Sequence, residues 1–245
     1  MESFRADLHL HTVLSPCAEI EMLPSLIIAE AVERGIRLIA VTDHNATGNV
    51  IAVQKAAEGS GLIVIPGMEL QTREEVHVLC LFDTLEQAQA FQAMVDPLLP
   101  DIENNPDYFG FQLVVDSEGK IEREETRLLL TSADISIEKA LEATNRLGGI
   151  LIPAHVNRKA FGLIEMLGFV PENMHIEALE ISHHVTPEQA YQLYPQIEGY
   201  PLIQNGDAHQ LADILGATTY KIEKPTIAEI RLALNNQDGR TFSIG

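Results

Sequence analysis

Short apolar runs alternate along this chain with segments of helical period, a pattern typical of repeated strand–helix units. The apolar runs predict strands at Phe4–His11, IRLIAVTDH, LIVIPGMEL, VHVLCLF, GGILIPAH, ALEISHH, PLIQNGDAH and TTYKIE. The segments of helical period predict helices at Leu23–Arg34, where Gly35 is placed to end the helix, and at Asn49–Ser60, Leu85–Leu99 and Ile227–Leu234. The alternation predicts an α/β fold with its strands arranged as in a barrel.

Residues 101–135 depart from this pattern. They include NNPDYFGFQLVVDSEGKIEREE, which predicts two strands joined by the turn DSEG. We interpret the segment as a small β-hairpin insertion within a single domain spanning residues 1–245. It is either a lid over a pocket or an excursion that only stabilises the fold, and the sequence leaves both open.

Composition narrows the function classes. The 245 residues include 46% hydrophobic residues, enough for a sizeable core, and they carry a formal charge of −20. Such a surface disfavours binding to long nucleic acid, so phosphate would be handled locally by metal ions or a few arginines. There is no long apolar run for a membrane span and no signal-peptide pattern, and the two cysteines do not suggest a disulfide framework. These features predict a cytoplasmic protein that does not enter membranes; its oligomeric state is left open.

Ionisable side chains collect where the predicted strands end. The ends are LHLH, TDH, MEL, PAH, SHH and GDAH, while His77 lies within VHVL. Of the nine histidines, only His175 falls outside a predicted strand or strand end. Since the C-terminal ends of barrel strands line the active site, this distribution predicts a metal site there.

The spacing supports a site with more than one ion. His9 and His11 lie two apart on a strand and face the same side, and Asp207 and His209 repeat that spacing. Glu69 could bridge two ions. Histidine nitrogens combined with a few carboxylates suit zinc, manganese or iron, and these ligands exceed the needs of one four-coordinate ion.

The ordered set DLHLHT, VTDHN, Glu69, PAH and GDAH resembles the PHP (polymerase and histidinol phosphatase) domain family. The stretches LSPCAE, FGFQLVVD and PAHVNR are similar to a stand-alone branch of metal-dependent phosphoesterases. The resemblance implies a distorted, TIM-like (β/α)7 barrel that holds up to three metal ions at the C-terminal ends of its strands.

The resemblance also implies how the ligands divide. The first ion would be bound by His9, His11, Glu69 and Asp207; the second by Glu69, His77 and His155; the third by His44, His209 and Cys17. The family usually has an aspartate or histidine at the position of Cys17. A thiolate there would favour zinc or iron, and the alternative is a small loop residue beside a looser third site.

Four further residues are candidates for substrate contact or proton transfer. Asp43 could protonate a leaving group or orient a ligand histidine, and it could also be a helix cap or a loop contact. Arg158 could bind a phosphate through its planar guanidinium. Of His183 and His184, one is expected to contact substrate or the metal site and the other to be structural.

We therefore predict a metal-dependent phosphoric ester hydrolase that attacks a small phosphomonoester or nucleotide with a metal-bound hydroxide. The motif G-x-S-x-G and the Walker A loop are absent, which removes two rival mechanisms. The alternatives are an exonuclease or phosphodiesterase acting on short oligonucleotides, and a non-catalytic metal-binding module.

Overall fold

The computed structural model describes residues 1–171 and 174–245. The strands are β1 Glu2–Leu10, β2 Leu38–Val41, β3 Ile63–Gln71, β4 His77–Leu81, β5 Leu113–Val115, β6 Ile121–Glu124, β7 Ile150–Pro153, β8 Leu179–Glu180, β9 Leu202–Ile203, β10 Thr218–Ile222 and β11 Thr241–Ile244. The α-helices are α1 Pro24–Glu33, α2 Val50–Ala56, α3 Leu85–Val95, α4 Pro106–Phe109, α5 Ile137–Arg146, α6 Leu163–Leu167, α7 Pro187–Leu193 and α8 Ile227–Leu234.

A curled sheet of seven strands, in the order β11-β10-β1-β2-β3-β4-β7, forms a half-barrel. Strands β1, β2 and β3 are parallel, and the separate pair β8–β9 is also parallel. The loop after β9 returns to β1 through a parallel bridge between Leu10 and Ala208. The predicted distorted α/β barrel is confirmed. The C-terminal ends of β1, β2 and β3 meet at one edge of the sheet, which we call the rim.

Apolar side chains fill the interior beneath the rim. One cluster includes Leu8, Leu38, Ile65 and Ile152, each almost fully buried. Strand β2 is buried along its whole length because both of its faces are covered, which explains why its sequence is continuously apolar instead of alternating.

Strand β4 departs from the predicted strand–helix repeat. It pairs antiparallel with both β3 and β7. The turn from Thr72 to Val76 is too short for a crossover helix, which explains the antiparallel pairing with β3. As a consequence His77, the first residue of β4, pairs with Gln71 at the end of β3 and lies at the rim.

The observed helices agree with the predicted ones only in part. Helix α8 has the predicted bounds, whereas α3 ends at Val95 and passes into a 3-10 turn that contains Pro97. Helices α5, α6 and α7 were not among the predicted elements. None of the helices in residues 1–171 and 174–245 is both long and apolar enough to cross a lipid bilayer.

The segment 101–135 contains α4 and the antiparallel hairpin of β5 and β6. Asn49 holds the hairpin: its Nδ2 donates to the Leu113 carbonyl at 2.9 Å, and its Oδ1 accepts from the Val115 N–H at 2.9 Å. The Leu113 N–H also donates to the Val13 carbonyl at 2.9 Å. The hairpin is therefore fixed to the loop that follows β1.

Candidate metal centre

Glu69 occupies the middle of the rim and is fully buried. Its two carboxylate oxygens lie between 2.9 and 3.3 Å from ring nitrogens of five histidines: His9, His11, His44, His77 and His155. Oε1 faces His9, His77 and His155, and Oε2 faces His11 and His44. The carboxylate thus offers one oxygen to each of two neighbouring sets of nitrogens.

Asp207 supplies a second carboxylate on the same side. Its Oδ1 lies 3.1 Å from His9 Nε2 and 3.3 Å from His11 Nε2. Asp207 has a left-handed backbone with φ of 48°, and a side chain on the preceding Gly206 would place its Cβ 1.9 Å from the Asp213 carbonyl oxygen. The tight loop that requires this glycine therefore aims Asp207 at the histidines.

Asp7 holds that loop in place from strand β1. Its carboxylate accepts the backbone N–H groups of Gly206, Leu215 and Gly216 at 2.8 to 3.2 Å. Burial raises the pKa of Asp7 to about 6, although the backbone donors act in the opposite direction. Asp7 is therefore a structural member of the motif DLHLHT.

Three groups of donor atoms, each within 4.8 Å of one another, can hold an ion. They are His9–His11–Glu69–Asp207, His44–Glu69–His77 and His11–His44–His209. The groups share Glu69, His11 and His44, so the three positions are adjacent, as in a multinuclear site.

The donors fit divalent cations. His9 Nε2 and His11 Nε2 lie 3.3 Å apart and point into the same space, and Glu69 Oε2 accepts no hydrogen bond from any residue in 1–171 or 174–245. A divalent ion bound by nitrogen and carboxylate oxygen would satisfy these buried atoms together. The donor types do not select one metal.

The protonation states of His44, His209 and Glu69 suit metal binding. Burial lowers the pKa of His44 to about 3 and that of His209 to about 4, so both rings are neutral at neutral pH. Although burial alone raises the pKa of Glu69, the surrounding histidines hold that pKa well below its usual range. Neutral imidazoles and an ionised carboxylate are the forms that bind metal. Although burial alone lowers the pKa of His9 and His11, the neighbouring carboxylates raise both, that of His11 to about 9, so an ion would bind there with release of protons.

Asp43 lies behind the donor groups and is fully buried. Its Oδ1 accepts from the Thr12 N–H and from Ser15 Oγ, each at 2.7 Å, and its Oδ2 accepts from Thr12 Oγ1 at 2.7 Å. Ser15 Oγ lies 2.9 Å from His11 Nδ1. Because both oxygens are engaged away from the pocket, the geometry favours an orienting role for Asp43, acting through Ser15 on His11, over proton transfer to a leaving group.

Glu180 is a site residue that the sequence analysis missed. Its carboxylate is buried, lies 3.1 Å from His9 Nδ1, and accepts the His155 backbone N–H at 3.0 Å and Asn205 Nδ2 at 2.7 Å. It therefore fixes His9 and His155 at once. The available signal was one carboxylate inside the apolar run ALEIS.

Replacing Glu180 with alanine is expected to weaken metal binding by about 10–100-fold, because partners that orient ligand histidines contribute this much. Glu180→Gln should retain part of the affinity, since its amide can still bond to His9. Competition with a metal-sensitive dye measures both, and Glu188→Ala, at an exposed position, is the matched control. Wild-type affinity in the alanine variant would rule out the orienting role.

An open cavity of about 500 Å³ lies above the donor groups. Cys17 and Arg158 line it together with His44, His209 and Asp207. Arg158 Nη1 donates to Asp207 Oδ2, whereas Cys17 is exposed and its sulfur belongs to none of the donor groups found in the described residues.

His183 and His184 do not reach this cavity. Their rings are exposed, lie 3.9 Å apart, and line a separate cavity of about 660 Å³ beside β11. Strand β8 ends at Glu180, so the predicted strand end SHH is wrong in position. Burial and the positive charges of His184 and Arg158 lower the pKa of His183, which places this histidine near Arg158. Contact of one of the two histidines with substrate therefore stays a prediction.

The sequence pattern of the PHP domain matches residues 7–134, more than half of the chain. The chain belongs to the PHP domain family. The family assignment agrees with the donor groups at the rim.

Two relatives with known sequences extend the comparison. The uncharacterized protein YqxK of Bacillus subtilis is 22% identical over 98% of this chain and 64% of its own length. The 5′-3′ exoribonuclease Rnm of Salmonella typhimurium is 34% identical over 31% of this chain and 26% of its own length. The PHP chain described here thus spans less than two thirds of either relative.

Solved structures share the fold. The lesion-specific endonuclease PfuEndoQ of Pyrococcus furiosus superposes with a TM-score of 0.74 at 20% identity, covering 98% of this chain and 58% of that one. A sulfate-bound amidohydrolase of Chromobacterium violaceum gives 0.59 at 19% identity, covering 95% and 96%. A further structure shows endonuclease Q with a 27-mer duplex carrying an abasic lesion, at a TM-score of 0.71 and 21% identity, covering 96% of this chain and 57% of that chain. The charge-based expectation against long nucleic acid is therefore unsupported.

Proposed function

We propose that this PHP protein hydrolyses a small phosphomonoester or nucleotide at a site of two or three divalent ions. The observation that supports it best is the position of Glu69, whose oxygens each face a different set of histidines beneath an open cavity. Adjacent divalent ions, when bound, activate water and neutralise charge on phosphoryl oxygens.

Three sets of residues would bind the ions. His9, His11, Glu69 and Asp207 would hold one ion. Glu69, His77 and His155 would hold a second, with His44 also close to Glu69 Oε2 at 2.9 Å. His44, His209 and Cys17 would hold a third. We propose zinc, manganese or iron as the bound ions.

For Cys17, the proposal predicts that Cys17→Ala lowers metal content by about one ion per chain and leaves the other positions filled. Cys17→Asp should retain that ion and shift preference towards manganese, because a hard carboxylate replaces a soft sulfur. The thiol should resist alkylation only in the metal-loaded protein. Equal metal content in Cys17→Ala, with equal thiol reactivity in both forms, would remove Cys17 from the ligand set.

Arg158 is proposed to bind the substrate phosphate from the cavity wall. Arg158→Ala should raise KM for a phosphomonoester about tenfold with a smaller effect on kcat, since a ground-state guanidinium–phosphate contact is lost. Arg158→Lys should restore only part, because lysine lacks the bidentate geometry. Steady-state kinetics on both variants measure this, and unchanged kinetics would make Arg158 a structural partner of Asp207.

A nuclease activity is the second candidate, favoured by the likeness to an exoribonuclease and to endonuclease Q. The deciding experiment assays phosphomonoesters, phosphodiesters, short oligonucleotides and an abasic duplex with Mn²⁺, Zn²⁺ and Fe²⁺. Preferred turnover of monoesters supports the proposal, and preferred cleavage of oligonucleotides or duplex supports a nuclease. Absence of turnover with every metal would leave the non-catalytic metal-binding module.

A further inference from the structure

The lining of the cavity above the donor groups is partly apolar and partly ionic. We call its apolar residues, Phe109, Leu130, Ala160 and Phe161, the wall; Arg158 and Asp207 lie among the polar lining residues. A phosphate with a small polar alcohol would contact the polar lining residues and leave this wall in water. The wall therefore indicates a ligand that carries a flat apolar group next to its phosphate.

Phe161 is held over the site. Its ring lies parallel to that of His77, with centroids 4.4 Å apart, and its carbonyl accepts the His77 N–H at 3.0 Å. Its backbone is left-handed, with φ of 58°, a conformation that a phenylalanine rarely adopts. Phe161 is still 36% exposed, so it has surface left for a ligand.

Phe109 belongs to the insertion of residues 101–135 and lines the cavity. Gly110, next to it, packs so closely on the loop of Cys17 that a Cβ would lie 2.3 Å from the Pro16 carbonyl oxygen. Tyr108 and Phe111 flank Phe109 and are 79% and 59% exposed. Of these three residues, Phe109 lines the cavity. An aromatic side chain in a cavity above candidate metal ligands is typical of a surface on which a base stacks.

We infer that the wall of Phe109 and Phe161 binds the base of a nucleoside phosphate whose phosphate lies at the donor groups and Arg158. This inference rests on the proposed function and selects among its substrates. A cavity of about 500 Å³ suits one nucleotide unit, free or at the end of a single strand, and does not suit a stacked base pair. The insertion would then serve as a fixed specificity wall instead of a lid.

The test compares 5′-AMP, a 5′-phosphorylated dinucleotide and glycerol 3-phosphate on the metal-loaded protein. Wild type should prefer the two nucleotides, and the relative turnover of these two separates a free nucleotide from a strand end. Phe109→Ala and Phe161→Ala should each lower the ratio of kcat/KM for 5′-AMP to that for glycerol 3-phosphate about tenfold, the scale of one lost stacking contact. Phe169→Ala, an exposed phenylalanine outside the cavity lining, should leave the ratio unchanged.

Phe161 packs on the candidate ligand His77, so Phe161→Ala could also disturb metal binding. Metal content is therefore measured for every variant, and the result for Phe109→Ala carries more weight. A wild-type enzyme that hydrolyses glycerol 3-phosphate as well as 5′-AMP, with the ratio unmoved by Phe109→Ala, overturns the inference while the proposed function stands. If no phosphoester is turned over, the proposed function fails. Equilibrium dialysis of 5′-AMP against the zinc-loaded protein then decides the inference: weaker binding to Phe109→Ala than to Phe169→Ala supports it, and equal binding overturns it.

Discussion

Glu69→Gln is expected to reduce phosphoester turnover by about a thousandfold or more, because the charge stabilisation that paired ions give a transition state amounts to several kcal/mol. Glu69 lies within 3.3 Å of His9, His11 and His44 as well as of the other two rim histidines. A neutral amide offers one carbonyl oxygen where the carboxylate offers two anionic ones. The bridge between neighbouring ions would therefore be lost.

The measurement for Glu69 combines kcat with metal content. The amide is nearly the same size as the carboxylate, so the barrel should keep its fold, and circular dichroism checks this. Glu58→Gln, at an exposed position, is the matched control and should behave as wild type. Near wild-type turnover with a full metal complement in Glu69→Gln would show that the bridging role is misassigned.

Removal of metal is expected to have the second large effect. A chelator should abolish turnover and lower the melting temperature by roughly 5–10 °C, since saturating ligand at about 100 times its Kd stabilises the native state by about 2.7 kcal/mol. The physical reason is that Glu69, Asp207 and the neighbouring histidines are packed together in a buried site with lone pairs directed at the same points.

Adding back Mn²⁺, Zn²⁺ or Fe²⁺ should restore both the melting temperature and the turnover, and the ion that restores most turnover identifies the best cofactor. Mg²⁺ should restore little, because imidazole nitrogen is a poor ligand for it. Full activity in the presence of a strong chelator, with the protein shown to be metal-free, would contradict the account.

The metal ligands could be predicted from the sequence because their chemistry is visible there. A single histidine, aspartate or glutamate at a strand end is more often structural, but the ends of several strands carry one here, and His9, Glu69 and Asp207 belong to that set. The structure brings these residues together as expected. It also places His77, which begins β4, at the same edge, because β4 runs antiparallel to β3.

The features that the sequence did not predict depend on the direction of a strand, on where a strand ends and on the burial of a side chain. A pattern of buried strands does not reveal that a short turn makes β4 antiparallel. Glu180 was missed because a buried carboxylate inside an apolar run looks like an ordinary strand residue until its contact with His9 is seen. His183 and His184 were misplaced because β8 ends at Glu180, four residues before the end of the predicted strand ALEISHH.

The position of Phe109 in the cavity could not be predicted either. The string DYFGF is visible in the sequence, but its closeness to the donor groups depends on how the insertion packs against the loop after β1. That packing rests on the contacts of Asn49 with both ends of β5, which have no local signature.

Elemental analysis of protein purified without chelator tests the central claim most directly. Three adjacent donor groups sharing Glu69, His11 and His44 predict two to three divalent ions per chain. The same protein, assayed in parallel, should lose turnover in step with the ions removed. A stoichiometry of one or below that added metal does not raise would contradict a multinuclear site.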